Sequence, residues 1–277
     1  MSVSERLRVD HQGFADLAAY LLNDVVLHIS GHPHRMVEIE FYLYSTEHPD
    51  PFTHCDPQQL TVDSWYFHRQ NGKGYKGGSF KGLDITFGAE DVHGGIIIRS
   101  IQSLADKSLV EGPCLVVNRI LELTAQDSIA NLVAQLLEEQ GDKDQTLPSC
   151  HLESSLYISP VSKSFAQQTL LKGPRVGLTL KRASGENWER YLMANYRFVA
   201  ATVGVKKYRN HLIVELLHDG LAEQRVSQLT GAKTHMVRKC QRMIDEFVEP
   251  GSWTEYYGRA LKGLDLITLQ LSSYTRF

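Results

Sequence analysis

The chain has 277 residues, of which 42% are hydrophobic and 22% charged, and its formal net charge is -3. This composition is ordinary for a globular protein and excludes a low-complexity or fibrous chain. The sequence has no apolar run long enough to span a membrane, and its polar first residues, MSVSERLRVDHQ, do not resemble a secretory signal. We therefore expect a protein of the cytoplasm or nucleus that is not secreted and that buries a sizeable core.

Helical and strand patterns are mixed along the first two thirds of the chain without the regularity of βαβ units. The predicted helices are 14–23, 115–121, 128–139, 187–193 and 208–217. The predicted strands are 25–29, 35–44, 64–69, 83–87, 96–101, 157–161 and 175–180. Turns are expected at 32–34 and at Gly94 and Gly95, and proline-broken loop over 45–61. The mixture predicts an α+β fold.

A change of pattern near residue 204 predicts a domain boundary. Residues 1–204 form the α+β domain in this interpretation, and residues 205–277 form a helical C-terminal region. The segment 206–242 carries eight Lys and Arg against three Asp and Glu, although the whole chain is mildly acidic. A local basic face can bind nucleic acid, but it can equally be a solvated surface.

The cysteines and the scattered histidines give no sign of a metal site. The four cysteines are far apart and form no CxxC pair, so neither a disulfide framework nor a structural zinc site is expected. Loop residues His48, Asp50, His54 and Asp56 are close in sequence but match no known ligand spacing. We expect no metal and no cofactor.

Several short motifs follow one another in order along the first 200 residues. The clearest is VEIEFYL at 37–43, preceded by LAAYLLNDVVLHISG. The later motifs are ITFG at 85–88, IIIRS at 96–100, EGP followed by Leu115, GPRVG at 173–177 and YRFV at 196–199. In the order of these motifs, over roughly residues 14 to 200, the chain resembles the alkyladenine DNA glycosylases. The resemblance implies a mixed, mostly antiparallel curved sheet with surrounding helices.

The resemblance also implies an active site. Glu40 matches the family's catalytic glutamate, which would act as a general base toward water during cleavage of an N-glycosidic bond. Tyr42 and His54 match residues that hold a flipped base, and Arg99 matches a strand arginine near the pocket. Strand alternation independently places Glu38, Glu40 and Tyr42 on one face. No lysine occupies the matched catalytic position, so water rather than a lysine amine that forms a Schiff base is expected to attack.

The departures from the family pattern concern the surroundings of the base. Asp84 stands where the family has a stacking tyrosine, so this position would bind substrate through hydrogen bonds or charge. Phe87 matches the residue that wedges into the duplex and retains an aromatic ring able to intercalate. The asparagine that contacts the base edge falls near Gly94 and is absent. We interpret these changes as an altered choice of substrate.

Residues 222–243, AEQRVSQLTGAKTHMVRKCQRM, resemble a helix-turn-helix. Gly231 lies at the turn, where a left-handed backbone is needed. The nucleic-acid-binding residues expected on the second helix are Thr234, His235, Arg238 and Arg242. An ordinary pair of helices with basic solvated faces is an equally open interpretation.

Three functions remain open at this point. The first is a DNA-glycosylase-like hydrolase that releases a modified base flipped out of nucleic acid, with nucleic acid as its partner. The second is a hydrolase of a free modified nucleoside or another small glycoside on the same fold. The third is a non-catalytic nucleic-acid-binding protein with a degenerate pocket.

Overall fold

A computed structural model describes residues 13–70, 73–141, 146–161, 167–183, 188–201 and 203–277. The chain divides into two compact units. The first comprises Met1–His48 and Thr53–Gln168, and the second comprises Pro49–Phe52 and Thr169–Phe277.

The first unit is built on an antiparallel sheet. Its strands are β1 (Val25–Ile29), β2 (His32–Tyr44), β3 (Val62–Phe67), β4 (Leu83–Phe87), β5 (His93–Ser103), β6 (Leu109–Glu111) and β7 (Leu156–Pro160). The order across the sheet is β3-β4-β5-β2-β1-β7, and β6 pairs with β5. These pairings are antiparallel. As in any β-strand, alternate side chains project to opposite faces. The predicted α+β class with a curved, mostly antiparallel sheet is confirmed.

One face of this sheet carries the apolar core. Alternation along β2 and β4 directs Phe41, Ile85 and Phe87 to this face, where all three are buried. Helix α1 (Phe14–Asn23) lies against it, because its apolar residues recur at helical spacing. Phe14 stacks on Phe41 with ring centroids 4.4 Å apart. Each such ring contributes about 1.5–3 kcal/mol through burial.

Two further α-helices belong to the first unit, α2 (Pro113–Leu123) and α3 (Ile129–Gln140). α2 begins with Pro113. Proline has no backbone N–H, and at the first position of a helix an N–H would have no acceptor within the helix. α3 begins after Ser128, whose hydroxyl accepts the Asn131 N–H, and ends at Gly141 with a left-handed φ of 63°. Two short 3-10 helices are η1 (Pro57–Leu60) and η2 (Gly78–Phe80).

Two of the predicted turns are wrong. Residues 32–34 lie inside β2, and the preceding turn is made by Ser30 and Gly31, which have φ values of 44° and 76°. Gly94 and Gly95 lie inside β5. A Cβ on Gly94 would come within 3.0 Å of the Gly88 nitrogen, so glycine here permits a close approach of two backbones.

The second unit combines a short strand pair with helices. β8 (Leu170–Gly173) pairs with β9 (Arg197–Ala200) in antiparallel register. Its helices are α4 (Trp188–Leu192), α5 (Arg209–His218), α6 (Glu223–Thr230), α7 (Thr234–Asp245), α8 (Gly263–Arg276) and the 3-10 helix η3 (Trp253–Tyr256). No helix in the described parts of the chain is long and apolar enough to cross a membrane.

The predicted strand at 175–180 is wrong. Arg175 is held in place by hydrogen bonds of its side chain and not by backbone pairing with a neighbouring strand. Its Nη1 donates to Asp50 Oδ2 at 2.6 Å, and its Nη2 donates to the carbonyl oxygen of Tyr191 at 2.9 Å. Both charged groups of this ion pair are fully buried. The segment Pro49–Phe52 therefore belongs to the second unit although it lies far from it in sequence.

The predicted boundary after residue 204 falls inside the second unit, which already begins at Thr169. The reason is packing: the strand residues Leu171 and Val199 share one apolar cluster with the helix residues Leu212 and Leu229. A division at 204 would separate the two sides of this cluster and expose apolar surface.

Candidate active site

A row of paired residues crosses four strands on the face opposite the apolar core. Glu40 in β2 pairs with Ile97 in β5. Ile97 also pairs with Asp84 in β4, and Asp84 pairs with Tyr66 in β3. Residues directly opposite each other in an antiparallel ladder project to the same side. The row therefore brings two carboxylates onto one face, with a single strand between them.

A cluster of three buried charged side chains lies at the β2 end of this row. Arg99 Nε lies 3.1 Å from Glu38 Oε1 and 3.3 Å from Glu40 Oε1, and Nη1 donates to Glu40 Oε2 at 3.4 Å. Ser100 Oγ donates to Glu38 Oε2 at 2.5 Å. Glu40 is 0% exposed. One guanidinium thus contacts two carboxylates, and buried charges require such pairing and hydrogen bonding to stay buried.

The electrostatics of Arg99 reflect this arrangement. Burial by itself lowers the pKa of the guanidinium, but the charges of Glu40 and Glu38 raise it by more, so the pKa of Arg99 lies above its ordinary value. Arg99 is therefore a permanent positive charge at this site.

Tyr42 connects the charged cluster to a partly exposed aromatic surface. Its hydroxyl donates to Glu40 Oε2 at 3.1 Å, the same oxygen that Arg99 Nη1 contacts. The ring itself is half-buried. The predicted placement of Glu38, Glu40 and Tyr42 on one strand face is confirmed by these contacts.

Asp84 accepts a hydrogen bond from His68, a residue that no sequence motif indicated. His68 Nε2 lies 2.7 Å from Asp84 Oδ1, so Nε2 carries the hydrogen and donates it to the carboxylate. Asp84 is 2% exposed, whereas His68 is half-buried. His68 follows β3 directly, but its closeness to Asp84 depends on the register of β3 and β4, which the sequence does not give.

His54 contacts the Asp84 side of the row and not Glu40 or Tyr42. Its Nε2 accepts from Lys76 Nζ at 3.0 Å, and its Nδ1 lies 3.5 Å from the Tyr66 hydroxyl. Its ring meets the His68 ring edge-on, with centroids 4.5 Å apart. The residue is exposed overall, but desolvation of its ring and the neighbouring His68 lower its pKa to about 4. His54 is therefore a neutral ring beside the dyad of Asp84 and His68.

Phe87 does not occupy a position from which it could wedge into a duplex. It is 3% exposed and packs edge-on against Phe14 and Phe41, with ring centroids 5.9 Å away in each case. Period-two alternation places it on the core face, opposite to Asp84. The predicted intercalating role is thus corrected to a core role.

The described residues hold no group of three or more His, Cys, Asp or Glu suited to a metal ion. The loop residues considered above have separate partners. Asp50 pairs with Arg175, and Asp56 accepts the Gln58 N–H at the start of η1. All four cysteines are free thiols.

The residues that resemble a helix-turn-helix form two successive helices of the second unit. α6 and α7 are separated by Gly231, whose φ of 65° provides the left-handed turn. Val226 and Val237 are buried together in one apolar cluster, which holds the two helices against each other. The positions predicted to face nucleic acid, Thr234, His235, Arg238 and Arg242, are all exposed. Arg238 Nε also contacts Glu223 Oε2 at 3.1 Å.

Comparison with known proteins finds a viral relative of this chain. No family model matches the chain. Over 212 residues, the chain is 34% identical to an uncharacterized protein of Acanthamoeba polyphaga mimivirus. The matched region covers 72% of this chain and 91% of the viral protein.

Proposed function

The chain belongs to the family of this uncharacterized mimivirus protein, and we propose that it is an N-glycosidase acting on nucleic acid. It would hydrolyse the bond between a modified base and its sugar, with Glu40 activating the attacking water. The viral relative is named as an uncharacterized protein, and its name states no activity. The proposal therefore depends on the site of this chain and on its resemblance to the alkyladenine DNA glycosylases.

The observation that carries the proposal is the buried, oriented carboxylate of Glu40. Breaking the bond between the sugar carbon and the base nitrogen sends the bonding pair to the base and leaves positive charge on the sugar. A fixed carboxylate stabilises this charge and takes the proton of the water as its oxygen bonds to the sugar carbon. The chemistry needs a carboxylate that does not have to reorganise, and Glu40 meets this condition.

Arg99 and Tyr42 are positioning residues in this proposal. Both contact Glu40 Oε2, at 3.4 Å and 3.1 Å. Two fixed donors hold the carboxylate plane, and the half-buried ring of Tyr42 offers an aromatic face beside it. A flipped base needs such a face for stacking.

The pair of helices α6 and α7, which resembles a helix-turn-helix, supports nucleic acid as the substrate. Its exposed Arg238 and Arg242 are suited to phosphate contacts, and these supply affinity without sequence information. Such a local basic surface is compatible with the net charge of -3 of the whole chain. Action on nucleic acid fits the expected location in the cytoplasm or nucleus.

The test is a search for released bases. The full chain is incubated with a mixed pool of modified nucleosides and damaged DNA, and released bases are identified by mass spectrometry. Glu40→Gln should lower release by about 10²–10⁴-fold. The matched control is Glu90→Gln, which removes an exposed carboxylate from the same unit and should leave release unchanged. Equal release by Glu40→Gln and the wild type would reject the proposal.

A free modified nucleoside is the second candidate substrate, and the burial of Phe87 is the observation that favours it. A duplex-acting enzyme needs something to fill the gap left by the flipped base, and Phe87 is 3% exposed in the core. The pool experiment separates the two substrates, because its nucleoside and DNA fractions are assayed in parallel. Duplex binding without release from either fraction would favour a non-catalytic binding protein.

A further inference from the structure

Two polar side-chain atoms converge on the Cα of Gly95. A Cβ at this position would lie 2.6 Å from Asp84 Oδ2 and 2.8 Å from Gln59 Nε2. Gly95 lies in β5 between its register partners Tyr42 and Thr86. A side chain here would collide with both polar atoms, so glycine keeps this part of the sheet face open to them.

The direction of the Gln59 amide is fixed by the turn in which it lies. Gln59 is the third residue of η1, and its Oε1 accepts the Asp56 N–H at 3.2 Å in a capping box. A backbone N–H can be met only by the oxygen end of the amide, so the end facing Gly95 is the Nε2 donor. Among the described residues, Nε2 has no hydrogen-bond partner, although Gln59 is 1% exposed.

The two carboxylate oxygens of Asp84 also have different surroundings. Oδ1 is bound to His68 Nε2 at 2.7 Å, which fixes the plane of the carboxylate. Oδ2 is the atom that faces Gly95, and within the described parts of the chain it accepts no hydrogen bond. One acceptor and one donor thus lie together on two nearly fully buried side chains.

A donor and an acceptor that lie side by side favour a ligand that offers the matching acceptor and donor. We propose that Asp84 and Gln59 are specificity-determining residues that recognise the edge of a base carrying an N–H donor beside a nitrogen or oxygen acceptor. Asp84 Oδ2 accepts the N–H, and Gln59 Nε2 donates to the adjacent acceptor. This inference rests on the proposed function and names the chemistry of the base.

The position of the pair agrees with this role. Adjacent strands lie about 4.8 Å apart, so a base edge over Gly95 is one strand away from Tyr42. Glu40 lies on the same face of β2 and accepts a hydrogen bond from Tyr42. A base read by Asp84 and Gln59 is therefore held beside the aromatic ring and on the side of the general base.

The experiment uses two probes that cannot be hydrolysed, 9-methyladenine and 9-methylpurine. Both have ring-nitrogen acceptors, but only 9-methyladenine has an exocyclic N–H donor. Dissociation constants are measured by NMR titration of the full chain. The wild type should bind 9-methyladenine about tenfold or more tightly than 9-methylpurine, because only this probe satisfies Oδ2.

The variants separate the two recognition contacts. In Asp84→Asn, the amide oxygen has to accept the hydrogen bond from His68 Nε2, so the NH₂ group of the amide faces Gly95. An NH₂ group cannot accept the N–H of the base, and the preference for 9-methyladenine should therefore fall below about twofold. Gln59→Met removes the donor and should weaken both probes alike while keeping their ratio. Glu90→Gln is the matched control. The urea midpoint of each variant establishes that it is folded.

An unchanged ratio in folded Asp84→Asn would overturn the inference, and so would failure of both probes to bind. The Glu40→Gln variant should keep the wild-type ratio. If the ratio depends on Asp84 but no base is released from any substrate, the base site stands and the proposed hydrolysis fails. If release depends on Glu40 while Asp84→Asn keeps the wild-type preference, only the present inference fails.

Discussion

Glu40 and Asp84 lie on the same face of the sheet and one strand apart, because Ile97 pairs with both of them. The two carboxylates have different partners. Arg99 balances the charge of Glu40, whereas His68 donates a hydrogen bond to Asp84. This difference underlies their separate proposed roles, water activation for Glu40 and recognition of the base for Asp84.

Loss of Arg99 should strongly destabilise the first unit. Arg99→Ala leaves two fully buried carboxylates without their cation, and we expect a loss of about 3–5 kcal/mol in the free energy of unfolding. Arg119→Ala is the control, since its pair with Glu122 is solvent-exposed and contributes about 0–1 kcal/mol. Urea unfolding measures both variants. Similar losses for the two arginines would contradict the importance of the buried cluster.

The core role of Phe87 predicts a stability effect and not a binding effect. Phe87→Ala should lower the free energy of unfolding by about 3–5 kcal/mol, because the cavity between Phe14 and Phe41 cannot close completely. Phe80→Ala changes a phenylalanine that is 77% exposed and should have little effect. A stable Phe87→Ala variant that selectively loses duplex affinity would restore the intercalating interpretation.

Tyr42→Phe should affect rate more than stability. It removes the hydroxyl that donates to Glu40 Oε2 at 3.1 Å but keeps the ring. The loss of one hydrogen bond to a charged group corresponds to about tenfold or more in the rate of base release. Single-turnover kinetics on the substrate found in the pool experiment measure this effect. An unchanged rate would mean that the hydroxyl does not orient the carboxylate.

A pH effect on stability is expected from His211 in α5. Burial lowers its pKa from 6.5 to about 4, and its Nδ1 donates to Gln270 Oε1 at 2.8 Å. Between these pH values the unfolded chain binds a proton that the folded chain does not, so stability falls as the pH drops from 6.5 toward 4. The full loss approaches about 3 kcal/mol. Urea midpoints of His211→Asn should depend less on pH than those of the wild type, and equal slopes would argue against this assignment.

The basic face of α7 should give salt-dependent binding to duplex DNA. Arg242→Gln removes one exposed cation and should weaken binding similarly for all sequences, with the salt slope reduced by about 1. Arg259→Gln, an exposed arginine elsewhere in the second unit, is the control. Fluorescence anisotropy at several salt concentrations gives both slopes. If the two variants behave alike, α7 is an ordinary solvated helix.

Local patterns predicted the parts of the site that lie along one strand. The alternation of Glu38, Glu40 and Tyr42 depends only on the two-residue period of a strand, so their common face followed from the sequence. The DPQQ run at 56–59 is a capping-box signal that could also have identified the turn holding Gln59.

Contacts between distant segments could not be predicted in this way. The pairing of His68 with Asp84 requires the register of β3 against β4, which no local pattern contains. Gly94 and Gly95 were expected to form a turn because glycine is typical of turns, yet here glycine allows the close approach of neighbouring groups. The compact units divide before Thr169 and not near residue 204, because β8 and β9 pack with the later helices.

The most direct test of the account is the single-turnover rate of base release by Glu40→Gln, compared with Glu90→Gln and the wild type. The account predicts a rate about 10²–10⁴-fold lower for Glu40→Gln, with a cooperative urea transition that establishes a folded variant and with Glu90→Gln equal to the wild type. A folded Glu40→Gln variant that releases base at the wild-type rate would contradict the central claim that this carboxylate activates water.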